Sequence, residues 1–348
     1  MKFDKKTLER KFITYSNIDE TYFLDLLKLF PNEGYIKILY CYYLFNYDKL
    51  IEGNEVLKSI NIHYIDKEDF SFYLFVNTLY DSKNLKEDLL KLNSEYPNNI
   101  FCLFELFMSL KDTEDNFLAW GFLEKAIEIE PYFFEAKLQK ILYDDSLDNC
   151  SEIIQELLKF PQTYVDTRVL NKLAFSYYNC YEIENAIKIA KGSLEIDKTA
   201  EAYYILGSIE HNENNNFKEA LNYYNLCLEI DSSYLDCLNS KAWLLYDFGD
   251  ISDSEKIFLQ ILEIDQSISS YGQLMQFYLN ANNLEKVVSV NDLLISKHGN
   301  NHISDTFSIL YSLKKNEKEK LNLKLQNFKQ SYTDEQVEWL KSMILDYK

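Results

Sequence analysis

The tetrapeptide Leu-Glu-Ile-Asp occurs at 194–197, 228–231 and 262–265, with a step of 34 residues each time. A relative, Ile127-Glu128-Ile129-Glu130, precedes Pro131, and Pro97 lies another 34 residues back. A period of this length marks an array in which each unit buries its apolar face on its neighbours. Such an array needs no single central core, so 348 residues need not divide into ordinary globular domains. Sheet-rich folds need many turn residues, and this chain has only 8 Gly and 4 Pro, which favours helices joined by short turns. A hydrophobic share of 47% argues against disorder.

Within the period the large and small residues keep a fixed order. One copy reads Tyr203-x2-Leu206-Gly207, then Ala220-x3-Tyr224, with Ser232 in a proline slot. Another reads Leu170-x2-Leu173-Ala174-x2-Tyr177, then Ala186-x3-Ala190. A third runs Leu103-x2-Leu106-Phe107-x2-Leu110, Ala119-x3-Leu123, Pro131, and a fourth Tyr271-x2-Leu274-Met275-x2-Tyr278. This order resembles the tetratricopeptide repeat family over most of residues 35–299, and most closely over 166–266. Glu210, Lys241 and Asn291 depart from it, since each takes an apolar or aromatic slot. The resemblance implies an all-α solenoid, a right-handed superhelix of antiparallel helix hairpins.

The same reading sets boundaries. Residues 1–33 are expected to form a degenerate first hairpin, 34–131 regular repeats, 132–161 a short irregular one, and 162–299 the best-defined repeats. Residues 300–348 then hold a degenerate repeat and a capping helix opened by Thr333-Asp334, with Val337, Leu340, Met343 and Ile344 as its stripe. Gly207, Ala174 and Ala242 are expected at close helix contacts, matched by Ala186 and Ala220, while Tyr224 and Phe258 fill the space between hairpins. Gly249-Asp250, Asn282-Asn283 and the run Asn212 to Asn216 should turn hairpins, the last one residue long. Asp197, Asp231 and Asp265, at helix C-termini, should accept from amides of the following turn.

No phosphate loop, nucleophile elbow or zinc-protease signature is present, and no catalytic residue, cofactor or metal site is expected. His63, His211, His298 and His302 are scattered, and His298-Gly-Asn-Asn-His302 reads as a loop. The six cysteines, Cys41, Cys102, Cys150, Cys180, Cys227 and Cys237, show no C-x-x-C and read as small buried residues kept reduced in a cytoplasm. The start carries charges throughout and no signal-like apolar run, and no stretch is apolar enough to span a membrane. A net charge of −20 disfavours nucleic acid, and the lysines at 314, 315, 318, 320 and 324 read as a solvated end. The 28 Tyr and 23 Phe allow two readings, an adhesive aromatic surface or the residue bias of an AT-rich genome.

In the family, first helices of successive hairpins line a concave groove. Transferred here, partner-binding candidates are Arg168, Asn171, Phe175 and Tyr178, then Tyr204, Ser208 and His211, then Asn239, Trp243 and Tyr246, and finally Gln276. Tyr and Trp give large contact area at low entropic cost, and Asn pairs with peptide backbone. The alternative is that these aromatics pad neighbouring helices. Family members that grip a C-terminal carboxylate use Lys, Arg and Asn, whereas the matching slots here hold Asn171, Phe175, Ile205, Asp236 and Ser240, so the basic members are missing. The resulting expectation is a non-enzymatic cytoplasmic adaptor for a peptide or protein. An acidic inhibitor of one basic partner, or a regulatory subunit of an enzyme complex, stays open beside it. The acidity serves either recognition or solubility, and the oligomeric state is undetermined.

Overall fold

The computed structural model describes residues 18–143, 149–162 and 165–346, together with Lys5, Leu8, Lys11 and Phe12. Much of the expected 1–33 hairpin, and residues 144–148 of the expected short repeat, lie outside the described residues. Everything regular among the described residues is helical, with no strand. The chain divides into two compact units, residues 1–189 and 190–348.

The first unit contains α1 (Glu20–Leu29), α2 (Gly34–Asn46), α3 (Leu50–Lys58), α4 (Lys67–Asp81), α5 (Leu85–Glu95), α6 (Ile100–Leu110), α7 (Asn116–Ile129), α8 (Phe134–Tyr143), α9 (Cys150–Leu157) and α10 (Thr167–Asn179). The division falls within α11 (Ile183–Ile196). The second unit holds α12 (Ala200–Asn212), α13 (Phe217–Ile230), α14 (Leu235–Asp247), α15 (Ile251–Ile264), α16 (Ile268–Asn280), α17 (Leu284–His298), α18 (His302–Lys314), α19 (Lys318–Ser331) and α20 (Asp334–Asp346). The last three helices span the end of the described residues. Thr333 Oγ1 accepts from Gln336 N–H at 3.3 Å, and Leu340 is buried.

Most hairpins close in one way. Asp48, Tyr181, Gly249, Asn282 and Asn316 each have positive φ, between 56° and 81°. At each, its own N–H bonds three residues back and the next N–H bonds five back: Gly249 to Tyr246 at 2.9 Å and Asp250 to Leu245 at 2.9 Å, for example. These are Schellman closures, which satisfy carbonyls that the helix end would otherwise orphan. The turn after α12 is longer, with the positive-φ residue at Asn215 and Asn216 N–H bonding Glu210. At the other end of each hairpin the expected aspartates accept turn amides: Asp197 from Lys198, Asp231 from Ser233 and Asp265 from Ser267, at 2.8, 2.9 and 3.1 Å. Helix starts are capped by Asp166, Thr199, Ser267 and Asn301 side chains.

Packing follows the small and large slots. Ala174, Ala186, Ala220 and Ala242 have no exposed surface, and Tyr224 and Phe258 are buried beside them. A Cβ added to Gly207 would sit 2.7 Å from two carbons of the Tyr224 ring. Much of the aromatic content of the first unit is core: Tyr42, Phe72, Phe75 and Phe101 are buried and mutually packed, with Phe72 and Phe101 stacked at 4.6 Å.

Two sequence expectations need correction. Cys150 and Cys180 form a disulfide, with Cα atoms 5.8 Å apart, which places the start of α9 beside the end of α10. Cys41, Cys102, Cys227 and Cys237 are free and buried, as expected. Lys324 is not a solvated end residue. It is partly buried and donates to the Ser308 carbonyl and to the Ser308 and Ser312 hydroxyls at 2.7–3.0 Å.

Candidate interaction surface

Residues three, four and seven apart share one helical face. On α14 this places Asn239, Trp243 and Tyr246 together, and all three are partly exposed. Trp243 lies edge-on to Phe258 at 5.0 Å and to Tyr246 at 5.8 Å, and its Nε1–H donates to Gln273 Oε1 at 3.4 Å. Tyr246 contacts Phe277 at 5.8 Å. The Trp243 ring thus packs against α15 and the Tyr246 ring against α16, and both residues keep some exposed surface. The Asn239 Oδ1 is sheltered from water and accepts no hydrogen bond.

On α12 the same spacing aligns Tyr204, Ser208 and His211. Tyr204 meets Tyr234 at 5.5 Å. His211 Nδ1 lies 3.3 Å from the Tyr224 hydroxyl, and its ring stands edge-on to Phe217. Burial lowers the His211 pKa, opposed by the charge of Asp247, so the imidazole is neutral at pH 7. Ser208 is only 4% exposed and offers no surface. Gln276 on α16 is partly exposed and donates to Asn280 Oδ1 at 3.1 Å.

The four candidates of α10 belong to the first unit. Arg168 makes a fork to Glu135, at 2.7 and 2.9 Å, and also reaches Asp166 at 2.7 Å. Asp166 is at once the N-cap of α10, so the guanidinium is held by an anchored acid. Asn171 is buried, at 7% exposure, whereas Phe175 is exposed and Tyr178 partly so. Seven candidates thus lie in the second unit and four in the first, and two of the eleven are buried.

A sequence model of the tetratricopeptide repeat matches residues 200–234. That span is the α12–α13 hairpin with its Gly207–Tyr224 contact. A chain of the APC/C hetero-tetramer Cut9–Hcn1 is similar over 97% of this chain and 70% of its own, at 15% identity and a TM-score of 0.50. The chain is an all-helical repeat protein that carries a tetratricopeptide repeat at residues 200–234. A tetratricopeptide repeat protein from Parabacteroides merdae is 17% identical, over 69% of this repeat protein and 96% of the other chain, with a TM-score of 0.48. No curated protein matches the sequence. Among the described residues no helix is long and apolar enough to cross a membrane.

Sequence reasoning missed a polar pair in the first unit. The Tyr42 hydroxyl donates to Glu105 Oε1 at 3.0 Å across α2 and α6, and burial raises the Glu105 carboxyl pKa. A carboxylate on an otherwise apolar helix, Ile100–Leu110, was the available signal.

Proposed function

We propose that the protein is an interaction scaffold that holds an extended segment of a protein partner against the exposed face of α12, α14 and α16. One observation carries this reading. Trp243 presents a half-exposed ring one turn from the partly exposed Asn239. A side chain laid on the indole would be desolvated by it, and the Asn239 amide would pair with peptide backbone. Tyr204, His211 and Tyr246 extend the face, while Phe175 and Arg168 form a separate exposed patch on α10.

Charge favours a basic partner. At −20 the repeat protein attracts cationic segments and hastens their association. That supports, as a second reading, an inhibitor that neutralises one basic protein. An inhibitor would abolish its target's activity at a one-to-one ratio, whereas an adaptor would bind several related peptides.

A displayed library of random dodecapeptides tests the scaffold reading. Wild type should enrich a family of sequences that Trp243→Ala and Asn239→Ala bind at least tenfold more weakly. Equal binding by all three proteins would remove the face from the account.

A further inference from the structure

A cavity of about 290 Å³ opens in the first unit beside the starts of α2, α4 and α6. Asp69 lines it and is only 6% exposed. A carboxylate so far from water requires a cation or several donors. The Lys5 ammonium meets it in an ion pair and sits 4.8 Å from the centroid of the Tyr35 ring. A buried acid joined to an aromatic face is the arrangement that recognises a compact alkylammonium.

Two further features show more capacity than Lys5 uses. Asn99 also lines the cavity and is 8% exposed; its Oδ1 caps α6 through Cys102 N–H at 3.0 Å, and its Nδ2 is buried without an acceptor. Capping fixes the amide plane and holds the idle N–H group in the cavity wall. Further carboxylates stand near the site. Burial raises the Glu33 carboxyl pKa, and Asp69 and Asp66 raise it further against the opposing charge of Lys5.

We propose that this cavity is a receptor site for a lysine side chain of a partner protein, and that Lys5 of the same chain fills it when no partner is bound. The incoming ammonium replaces that of Lys5 on Asp69 and Tyr35, and a backbone carbonyl of the incoming segment accepts from Asn99 Nδ2. With a side chain 30% exposed, Lys5 is open to such exchange. This site belongs to the first unit, and the proposal does not rest on the α12–α14–α16 face.

N-acetyl-lysine methylamide is a suitable probe, because it carries one ammonium and capped carbonyls. Its binding to the full chain is read by saturation-transfer NMR, with N-acetyl-norleucine methylamide as the uncharged control. A tether presents its ligand at roughly millimolar effective concentration, so removing the competing charge should tighten probe binding by about tenfold. Lys5→Ala should show that gain, and so should Lys5→Gln, which keeps the stem. Asp69→Asn added to either should abolish it while the melting curve certifies folding, and Trp243→Ala should leave it unchanged. Equal binding of lysine and norleucine probes, or no gain in both Lys5 variants, would overturn the proposal.

Discussion

Gly207 offers the sharpest test of the packing. It is buried inside α12, and a methyl group there would lie 2.7 Å from both Cδ1 and Cε1 of Tyr224, and 3.3 Å from Tyr223 Cβ. Carbon atoms prefer roughly 3.5–4.0 Å, so the ring must retreat by about 1 Å. Tyr224 has no exposed surface, and so no open space to retreat into. Overpacking of this kind costs about 1–3 kcal/mol. Against it stands the helix preference for Ala over Gly, roughly 0.8–1.0 kcal/mol. Gly121 on α7 separates the two effects, since a Cβ there meets nothing within 4 Å. Gly121→Ala should therefore stabilise by about 1 kcal/mol. Gly207→Ala should fall below it by about 1–3 kcal/mol, or on the order of 2–10 °C for units of this size. Gly207→Leu should fall further. Pairing Gly207→Ala with Tyr224→Leu should recover part of the loss as a non-additive term. Thermal and urea unfolding followed by circular dichroism read all of these. If Gly207→Ala stabilised as much as Gly121→Ala, the close approach of α12 and α13 would be refuted.

Closing a loop of 30 residues, the Cys150–Cys180 disulfide should contribute about 3–4 kcal/mol to the first unit by restricting the unfolded chain. Dithiothreitol or Cys150→Ser should lower the denaturation midpoint accordingly, and an unchanged midpoint would count against the bond. Because burial raises the Glu105 pKa above its ordinary 4.5, the folded protein holds a proton there that the unfolded chain releases. Stability at this site therefore falls as pH rises from about 4.5 into the raised range. Glu105→Gln should stabilise at pH 7 and have no such effect at pH 4 in paired melts. Tyr181 carries a bulky side chain at φ 60°, so Tyr181→Gly should stabilise by about 1 kcal/mol in urea titrations.

The architecture was legible because a repeat states its own constraints several times. Leu-Glu-Ile-Asp gave the period, Gly207 and Ala220 the close contacts, and Gly249 and Asn282 the turns. Tyr181 was not readable as a turn residue, since an aromatic side chain carries no preference for positive φ and only the register of the hairpin forces it there. Gly53 was equally silent, although a Cβ there would meet the Tyr80 ring at 2.6 Å, because its partner lies in the next repeat. The disulfide joins cysteines almost one repeat apart, where no short spacing signals it. At the proposed interaction surface, periodicity grouped the candidates on one face of α12 and of α14 but did not give the depth of each position, so Ser208 proved buried where Asn239 did not. The Lys5–Asp69 pair spans 64 residues, and no local pattern connects them.

Photo-crosslinking tests the central claim most directly. A peptide selected from the dodecapeptide library, carrying benzophenone at its centre, is irradiated with the full-length protein and the adducts are mapped by mass spectrometry. The account predicts adducts on α12, α14 and α16, at or beside Tyr204, Asn239, Trp243, Tyr246 and Gln276, and their loss in Trp243→Ala. Adducts confined to the second helices α13, α15 and α17, unaffected by that substitution, would contradict it.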